Sequence, residues 1–274
     1  GKAAMIKSDT SKISSKQKWM VHKVGGTSVG SVAAFRKVLE ILNNQPDQKV
    51  AVVVSAMSGV TDRLIRSAQA AAEQNSDYEN QLTRLLEDHV KTAQELLDTS
   101  SVQAFVVHLQ SDFKDLREIL RGVWLSRHLP ETTLELVSGY GELWSSKILS
   151  QIWKKNGQPS HWLDARKILV VEPGETGPAV QWPICQQNMD AKLEELFKSH
   201  GGSNNLDAHG DSRLVITGFV ASTVKGVPTT LKRNGSDFSA SIFGKLLNSR
   251  EIVIWTDVDG VYGVDSRMDP EAAC

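Results

Sequence analysis

Residues 49–57 read KVAVVVSAM, and this stretch restricts the fold more tightly than any other. A strand with one wet face alternates apolar and polar side chains, so an unbroken β-branched run marks a strand buried on both faces. Such a strand needs cover above and below. The rest of the chain supplies it. WMVHKV (19–24) has strand character, and GGTSVGS breaks it ahead of a helix over about 32–42. Residues 63–74, 78–98 and 102–121 read as helices. In the second of these, Leu82, Leu85, Leu86, Val90, Ala93, Leu96 and Leu97 recur at helical spacing as a packed stripe. LELVSGYGELWSS (134–146) is a short element, a Gly-rich turn and the start of a helix. PSHWLDA and KILVV are short strands. Residues 172–190, with three of the eight prolines, read as a loop, and residues 199–212 as a mobile surface loop. RLVITGFVAS (213–222), VPTTL (227–231) and EIVIW (251–255) complete the strands. Strands alternating with helices predict an α/β domain whose mainly parallel sheet is covered on both faces. No internal repeat or interdomain linker interrupts it.

Composition removes several function classes. At 274 residues, 40% hydrophobic and 23% charged, the chain has the make-up of a soluble globular protein. A net charge of −1 gives no footprint for nucleic acid or an anionic membrane surface. No apolar run approaches the roughly 18 residues needed to span a bilayer. The two cysteines, Cys185 and Cys274, form no disulfide framework and suit a reducing compartment. His22, His89 and His108 lack metal-ligand spacing. Residues 1–18 hold five lysines and little apolar content, and are expected to be a disordered basic tail.

The chemistry concentrates in residues 231–263, LKRNGSDFSASIFGKLLNSREIVIWTDVDGVYG. Lys232 and Arg233 stand beside Gly235, Ser236 and Asp237, where a helix starts. A helix N-terminus offers free N–H groups and a partial positive charge to an anion. Ile252, Val253 and Ile254 then form a strand whose end delivers Asp257 and Asp259, and ligands of open α/β sheets sit at carboxyl ends of strands. Lys23, Gly25, Gly26, Thr27 and Ser28 place a second cation at a strand end before a glycine pair, where backbone N–H groups can approach phosphate oxygens. An ordinary Gly-rich βα turn reads the same way. It is neither a Walker loop, because Ser31 stands where lysine is required, nor a G-x-G-x-x-G fingerprint. Asp257-Val258-Asp259-Gly260 fails the calcium-loop register and is equally an ordinary tight turn. Glu142, after Gly141 at a helix start, reads on its own as a simple first-turn carboxylate favoured by the helix dipole.

Taken together, HKVGGTSVGS, VVVSAMSGVTD, LVSGYGELWSS, GFVAS, TTLKRNGSDFSA and IWTDVDGVYGVDSR occur in the order seen in aspartate kinases of the amino-acid kinase superfamily. GELWS and LKRNGSDFSA most resemble the kinase half of bifunctional aspartokinase–homoserine dehydrogenases. The resemblance covers residues 19–270. It implies a three-layer α/β/α sandwich of the carbamate kinase-like kind that moves the γ-phosphoryl group of ATP, with Mg²⁺, onto the β-carboxylate of L-aspartate. The product, 4-phospho-L-aspartate, is the entry compound of lysine, threonine and methionine synthesis. By motif matching, Lys23 neutralises the transferring phosphoryl group and Asp237 orients the catalytic lysines. Gly25, Gly26, Thr27 and Ser28 form the phosphate-binding turn. Ser55 and Thr61 line the aspartate pocket with Gly235 and Ser236, Glu142 holds the α-amino group, and Arg233 clasps the α-carboxylate. Thr256, Asp257, Tyr262 and Arg267 match nucleotide contacts. The resemblance further implies a homo-oligomer in the full-length protein, and a cytoplasmic setting or, in a plant, the plastid stroma.

The chain departs from that pattern in three places. Val24 replaces an aromatic residue, and Ser266 replaces the proline usual before Arg267. Aspartate kinases also continue past the position of Cys274 with an FGAK-type segment whose lysine contacts ATP, then with ACT domains and, in bifunctional members, a dehydrogenase. Residues 19–274 are therefore expected to be a catalytic domain lacking its C-terminal end, with weak ATP binding and slow turnover. Two rival readings stand beside this one. One is a superfamily member acting on glutamate, acetylglutamate or a nucleotide; the other is a catalytically weak paralogue that binds a nucleotide or a partner.

Overall fold

The computed structural model describes residues 18–197, 211–232, 235–258 and 261–268, with backbone alone from residue 257 onward. Residues 1–17 of the expected basic tail (1–18) and most of the Gly-rich loop (199–212) lie outside the described residues, as do Arg233 and Asp259.

The principal sheet has six strands in the order β12-β11-β1-β2-β8-β5. They are β1 (Trp19–Val24), β2 (Lys49–Val54), β5 (His161–Leu163), β8 (Ser212–Thr217), β11 (Glu251–Val258) and β12 (Val261–Met268). All neighbours run parallel except the β11–β12 pair. The β-branched run behaves as expected. Val50, Val52 and Val54 face one apolar core while Ala51 and Val53 face another, because side chains alternate across the pleat. The first core is roofed by α1 (Val32–Asn43), α2 (Val60–Ala72), α3 (Tyr78–Leu96), α4 (Thr99–Ser126) and α6 (Tyr140–Ile152). The second is closed by α7 (Trp182–Phe197) and α8 (Gly235–Leu246). These are the three layers. The leucine stripe of α3 is packed as predicted, with Leu82 and Leu85 fully buried. Among the described residues, no helix is long and apolar enough to cross a membrane.

Two segments differ from the sequence reading. Residues 172–190 are not one loop, because α7 begins at Trp182 and accommodates Pro183 in its first turn, where a missing N–H costs no helical bond. RLVITGFVAS is not one strand. It breaks at Gly218 and Phe219, and β9 (Val220–Thr223) joins a second sheet of order β10-β9-β6-β7, with β6 (Val170–Glu172), β7 (Ala179–Val180) and β10 (Pro228–Thr230). Phe219 has φ 71°, and Val220 N–H donates to the Gly218 carbonyl at 2.8 Å, a γ-turn of the positive-φ kind. The short element at 134–138 is helical, α5 (Glu131–Ser138), and β3 (Lys154–Lys155) with β4 (Gln158–Pro159) makes a separate hairpin.

Candidate active site

Strand order reverses beside β1, since the chain passes from β1 to β2 on one side and returns as β11 on the other. Such a reversal opens a crevice at the carboxyl ends of the strands. A cleft of about 480 Å³ lies there, lined by Gly26, Thr27, Ser55, Thr61, Glu142, Gly235 and Ser236 among others. Seven residues singled out from four separate sequence blocks therefore share one cavity.

Local chemistry explains how each arrives. After β1 the chain enters a 3-10 turn, Gly26–Val29, in which Ser28 N–H donates to the Gly25 carbonyl at 3.1 Å. Gly26 is required for close approach, because a Cβ there would stand 3.0 Å from the Ala56 carbonyl oxygen. Ser28 itself is buried inside the turn. Ser55 follows β2, where its N–H donates to the Val24 carbonyl at 3.0 Å and its hydroxyl donates to Ser236 Oγ at 2.8 Å. Ser145 of α6 donates to the Ser55 carbonyl at 2.7 Å. The strand end, α6 and the start of α8 are thereby tied together.

Glu142 sits in the first turn of α6 and is only 3% exposed. Gly141 lets it come this close, since a Cβ there would lie 2.7 Å from Ala56 Cβ. Its Oε1 accepts from the Ala56 N–H at 3.3 Å, while Oε2 is buried with no hydrogen-bond partner. Burial pushes its pKa up to about 8, with the Ala56 N–H pulling weakly the other way. A carboxylate so placed is suited to an incoming cation.

Lys23, next to last in β1, lies outside the cleft lining. Its ammonium stands 3.4 Å from where a Cβ on Gly25 would be and pairs with Asp237 Oδ1 at 3.0 Å, in the first turn of α8. The remaining sequence-derived residues gather on the β11–β12 hairpin next to β1. Thr256 and Asp257 lie on β11, Tyr262 pairs with Asp257 across the ladder, and Arg267 pairs with Val253. Arg233 is outside the described residues. Sequence reasoning did not count Ala56, Met57, Ser58, Asp62 or Phe219 as site residues, yet all five line the cleft, as does Lys232, the cation beside the start of α8. The first four lie within the SAMSGVTD block already singled out. Phe219 arrives only through its γ-turn.

Among the described residues no histidine lines the cleft. His89 is buried and held neutral, its pKa lowered by desolvation to about 4, and His22 Nδ1 accepts from Trp255 Nε1 at 3.0 Å. His108 is exposed. Cys185 is buried behind β6, with the Val170 N–H 3.2 Å from its sulfur. Among the described residues, no group of three His, Cys, Asp or Glu side chains could hold a metal ion.

Comparison with known proteins bears on this geometry. A family model described as "Amino acid kinase family" matches residues 18–273. The bifunctional aspartokinase/homoserine dehydrogenase 2, chloroplastic, of Arabidopsis thaliana is 40% identical over 255 residues, which is 93% of this chain but 26% of that protein. A bifunctional aspartokinase/homoserine dehydrogenase, chloroplastic, of Daucus carota is also 40% identical, over 254 residues and with the same coverage. The chain thus spans about a quarter of the length of these relatives. Among solved structures, Escherichia coli aspartokinase III in complex with aspartate and ADP superimposes with a TM-score of 0.73 at 21% identity, covering 88% of this chain and 49% of that one. At that identity the likeness speaks for the fold.

Proposed function

The chain belongs to the amino acid kinase family, and we propose that it phosphorylates the β-carboxylate of L-aspartate with ATP, giving 4-phospho-L-aspartate. The observation that carries this reading is Glu142, a buried carboxylate with an unpartnered oxygen in the wall of a cleft beside a Lys23–Asp237 pair. An α-ammonium group supplies the missing partner, and Arg233 supplies the forked cation for the α-carboxylate. The acceptor carboxylate is already ionised at neutral pH, so no general base is needed. Catalysis then rests on positioning and on neutralising charge as the phosphoryl group moves.

In this reading Ser55, Thr61, Gly235 and Ser236 hold the aspartate. The turn from Gly25 through Ser28, with Lys23, faces the γ-phosphoryl group, and Asp237 keeps the Lys23 ammonium aimed. Thr256, Asp257, Tyr262 and Arg267 on the β11–β12 hairpin take the nucleotide. In this reading Mg²⁺ would arrive as the ATP complex, which keeps mostly phosphate and water ligands, and the half-exposed Asp237 would take a water of its shell. That ion would supply charge neutralisation between phosphate oxygens. The place of work follows the same reading: the stroma of a plastid in a plant, the cytoplasm otherwise.

The test is aspartyl-phosphate formation, trapped as the hydroxamate, with L-aspartate, L-glutamate and N-acetyl-L-glutamate offered in parallel. Product from L-aspartate alone is expected. Turnover of either glutamate compound in preference would overturn the substrate assignment, and nucleotide binding without product from any of them would favour the paralogue reading.

A further inference from the structure

Lys232 is the one described cation in the lining of the cleft; the sequence marks it only as a cation beside the start of α8, and the proposed chemistry gives it no specific role. Its backbone lies at φ 59°, in the left-handed region where a side chain other than glycine is strained. Its N–H donates to Thr230 Oγ1 at 3.3 Å. The residue also lines a second cavity of about 440 Å³, formed with α5 and the β6–β7 loop. There Nζ meets Glu131 Oε1 at 2.6 Å and Glu135 Oε1 at 2.7 Å. These carboxylates lie one helical turn apart on the same face of α5. The other oxygen of Glu135 accepts from the Thr229 hydroxyl at 2.8 Å, so β10 and Lys232, two residues beyond it, are stitched to α5 at two points.

The two carboxylates are unequal. Glu131 is 74% exposed and its pair with Lys232 is open to water and salt, whereas Glu135 is 16% exposed. Exposed pairs contribute little, while a partly buried carboxylate with two charge-assisted bonds loses more when its cation is removed. Glu135 is therefore the main anchor. Two residues separate Lys232 from the first turn of α8, and Arg233 is the next residue along.

We infer that Lys232 is a positioning residue, whose ion pair with Glu135, assisted by Glu131, holds the strained turn leading into Arg233 and α8 and so sets affinity for the amino-acid substrate. This rests on the aspartate kinase reading for its kinetic consequence but not for the latch itself. A latch predicts that removing either partner has the same effect. A lysine acting directly on substrate predicts otherwise, because Glu135→Gln would free the ammonium and leave aspartate binding unchanged or tighter.

The experiment uses the full-length protein with Lys232→Ala, Glu135→Gln, the double variant and Lys232→Arg. KM for aspartate and for ATP are measured separately, and amide hydrogen exchange is followed across residues 226–232 without ligand. Each of the first two variants is expected to raise KM for aspartate about fivefold and KM for ATP by less than about twofold. The double variant should be no worse than either single one, and arginine should restore most of the loss. Exchange of the segment should quicken by a similar factor in Lys232→Ala and Glu135→Gln. A raised KM in Lys232→Ala with an unchanged one in Glu135→Gln overturns the inference. If the unaltered protein does not phosphorylate aspartate, the functional reading fails instead, and hydrogen exchange alone still decides the latch: unchanged protection in Glu135→Gln would sink it.

Discussion

Glu142 is neutral in the ligand-free protein over much of the physiological range, because its pKa lies at about 8 against an ordinary 4.5. The folded state therefore holds a proton that the unfolded chain releases between those values. Stability from this group is fully present below about pH 4.5 and is lost as pH rises toward 8, by at most about 1.4 kcal/mol per pH unit. The melting temperature of the ligand-free domain should fall between about pH 5 and pH 8, and Glu142→Gln should flatten that slope. In the proposed reading, binding of the aspartate ammonium favours the carboxylate, so a proton should leave as substrate arrives. Calorimetry at pH 7 in buffers of differing ionisation enthalpy should detect that release, and Glu142→Gln should abolish it. Equal proton release in the variant would place the titrating group elsewhere. Lys23 carries a different expectation. In the proposed reading its ammonium is one preorganised charge at the phosphoryl group, so Lys23→Ala should lower kcat by about 10²–10³-fold with the fold retained. Near-normal kcat in a folded variant would remove Lys23 from the mechanism.

Among the elements, α6 shows how local rules and packing compete. Within a helix Ala is favoured over Gly by about 1 kcal/mol. At Gly141 the added methyl would lie 2.7 Å from Ala56 Cβ and 2.9 Å from Val60 Cγ1, contacts real side chains do not make. Overpacking of this kind costs about 1–3 kcal/mol, so packing should win and Gly141→Ala should lower the melting temperature. It should also push Glu142 away from the Ala56 N–H and raise KM for aspartate. Adding Val60→Ala to make room should recover part of both losses, and a Gly141→Ala protein as stable as the parent would show that α6 can shift freely. The element plan is legible where periodicity is strong, as in the β2 run and the α3 stripe. It is not legible where a rare backbone state interrupts a continuous apolar pattern. RLVITGFVAS reads as one strand because nothing in its composition announces a positive φ at Phe219, a state bulky residues seldom adopt. Prolines mislead at 172–190 because Pro183 falls in the first turn of α7, where it is tolerated. β12 escapes notice because Gly263 and the polar run Asp265-Ser266-Arg267 interrupt the apolar residues of VYGVDSRM, as an edge strand permits.

Across the whole molecule, the cleft is where the two helical layers meet over the ends of β1 and β2. Thr61 and Glu142 come from α2 and α6 on one side of the sheet, and Gly235 and Ser236 from α8 on the other. Sequence motifs name these residues but cannot place them together, since only the strand order brings blocks more than a hundred residues apart to one crevice. The Ser55–Ser236 bond and the Lys23–Asp237 pair are the described polar links from the ends of β2 and β1 to the start of α8. A substrate gripped by Glu142 on one side and the α8 start on the other should therefore stabilise the entire domain. At a free concentration one hundred times its Kd, a ligand bound only by the folded state adds about 2.7 kcal/mol. For a domain of this size that is a rise of about 5–10 °C in melting temperature. L-Aspartate should produce this shift at a concentration set by its calorimetric Kd, and Glu142→Gln should lose most of it at the same concentration. Succinate, which keeps both carboxylates but lacks the α-ammonium group, should be nearly inert. A shift from succinate as large as that from L-aspartate would mean that Glu142 does not receive an ammonium group, and the buried carboxylate would then need another cation to explain it.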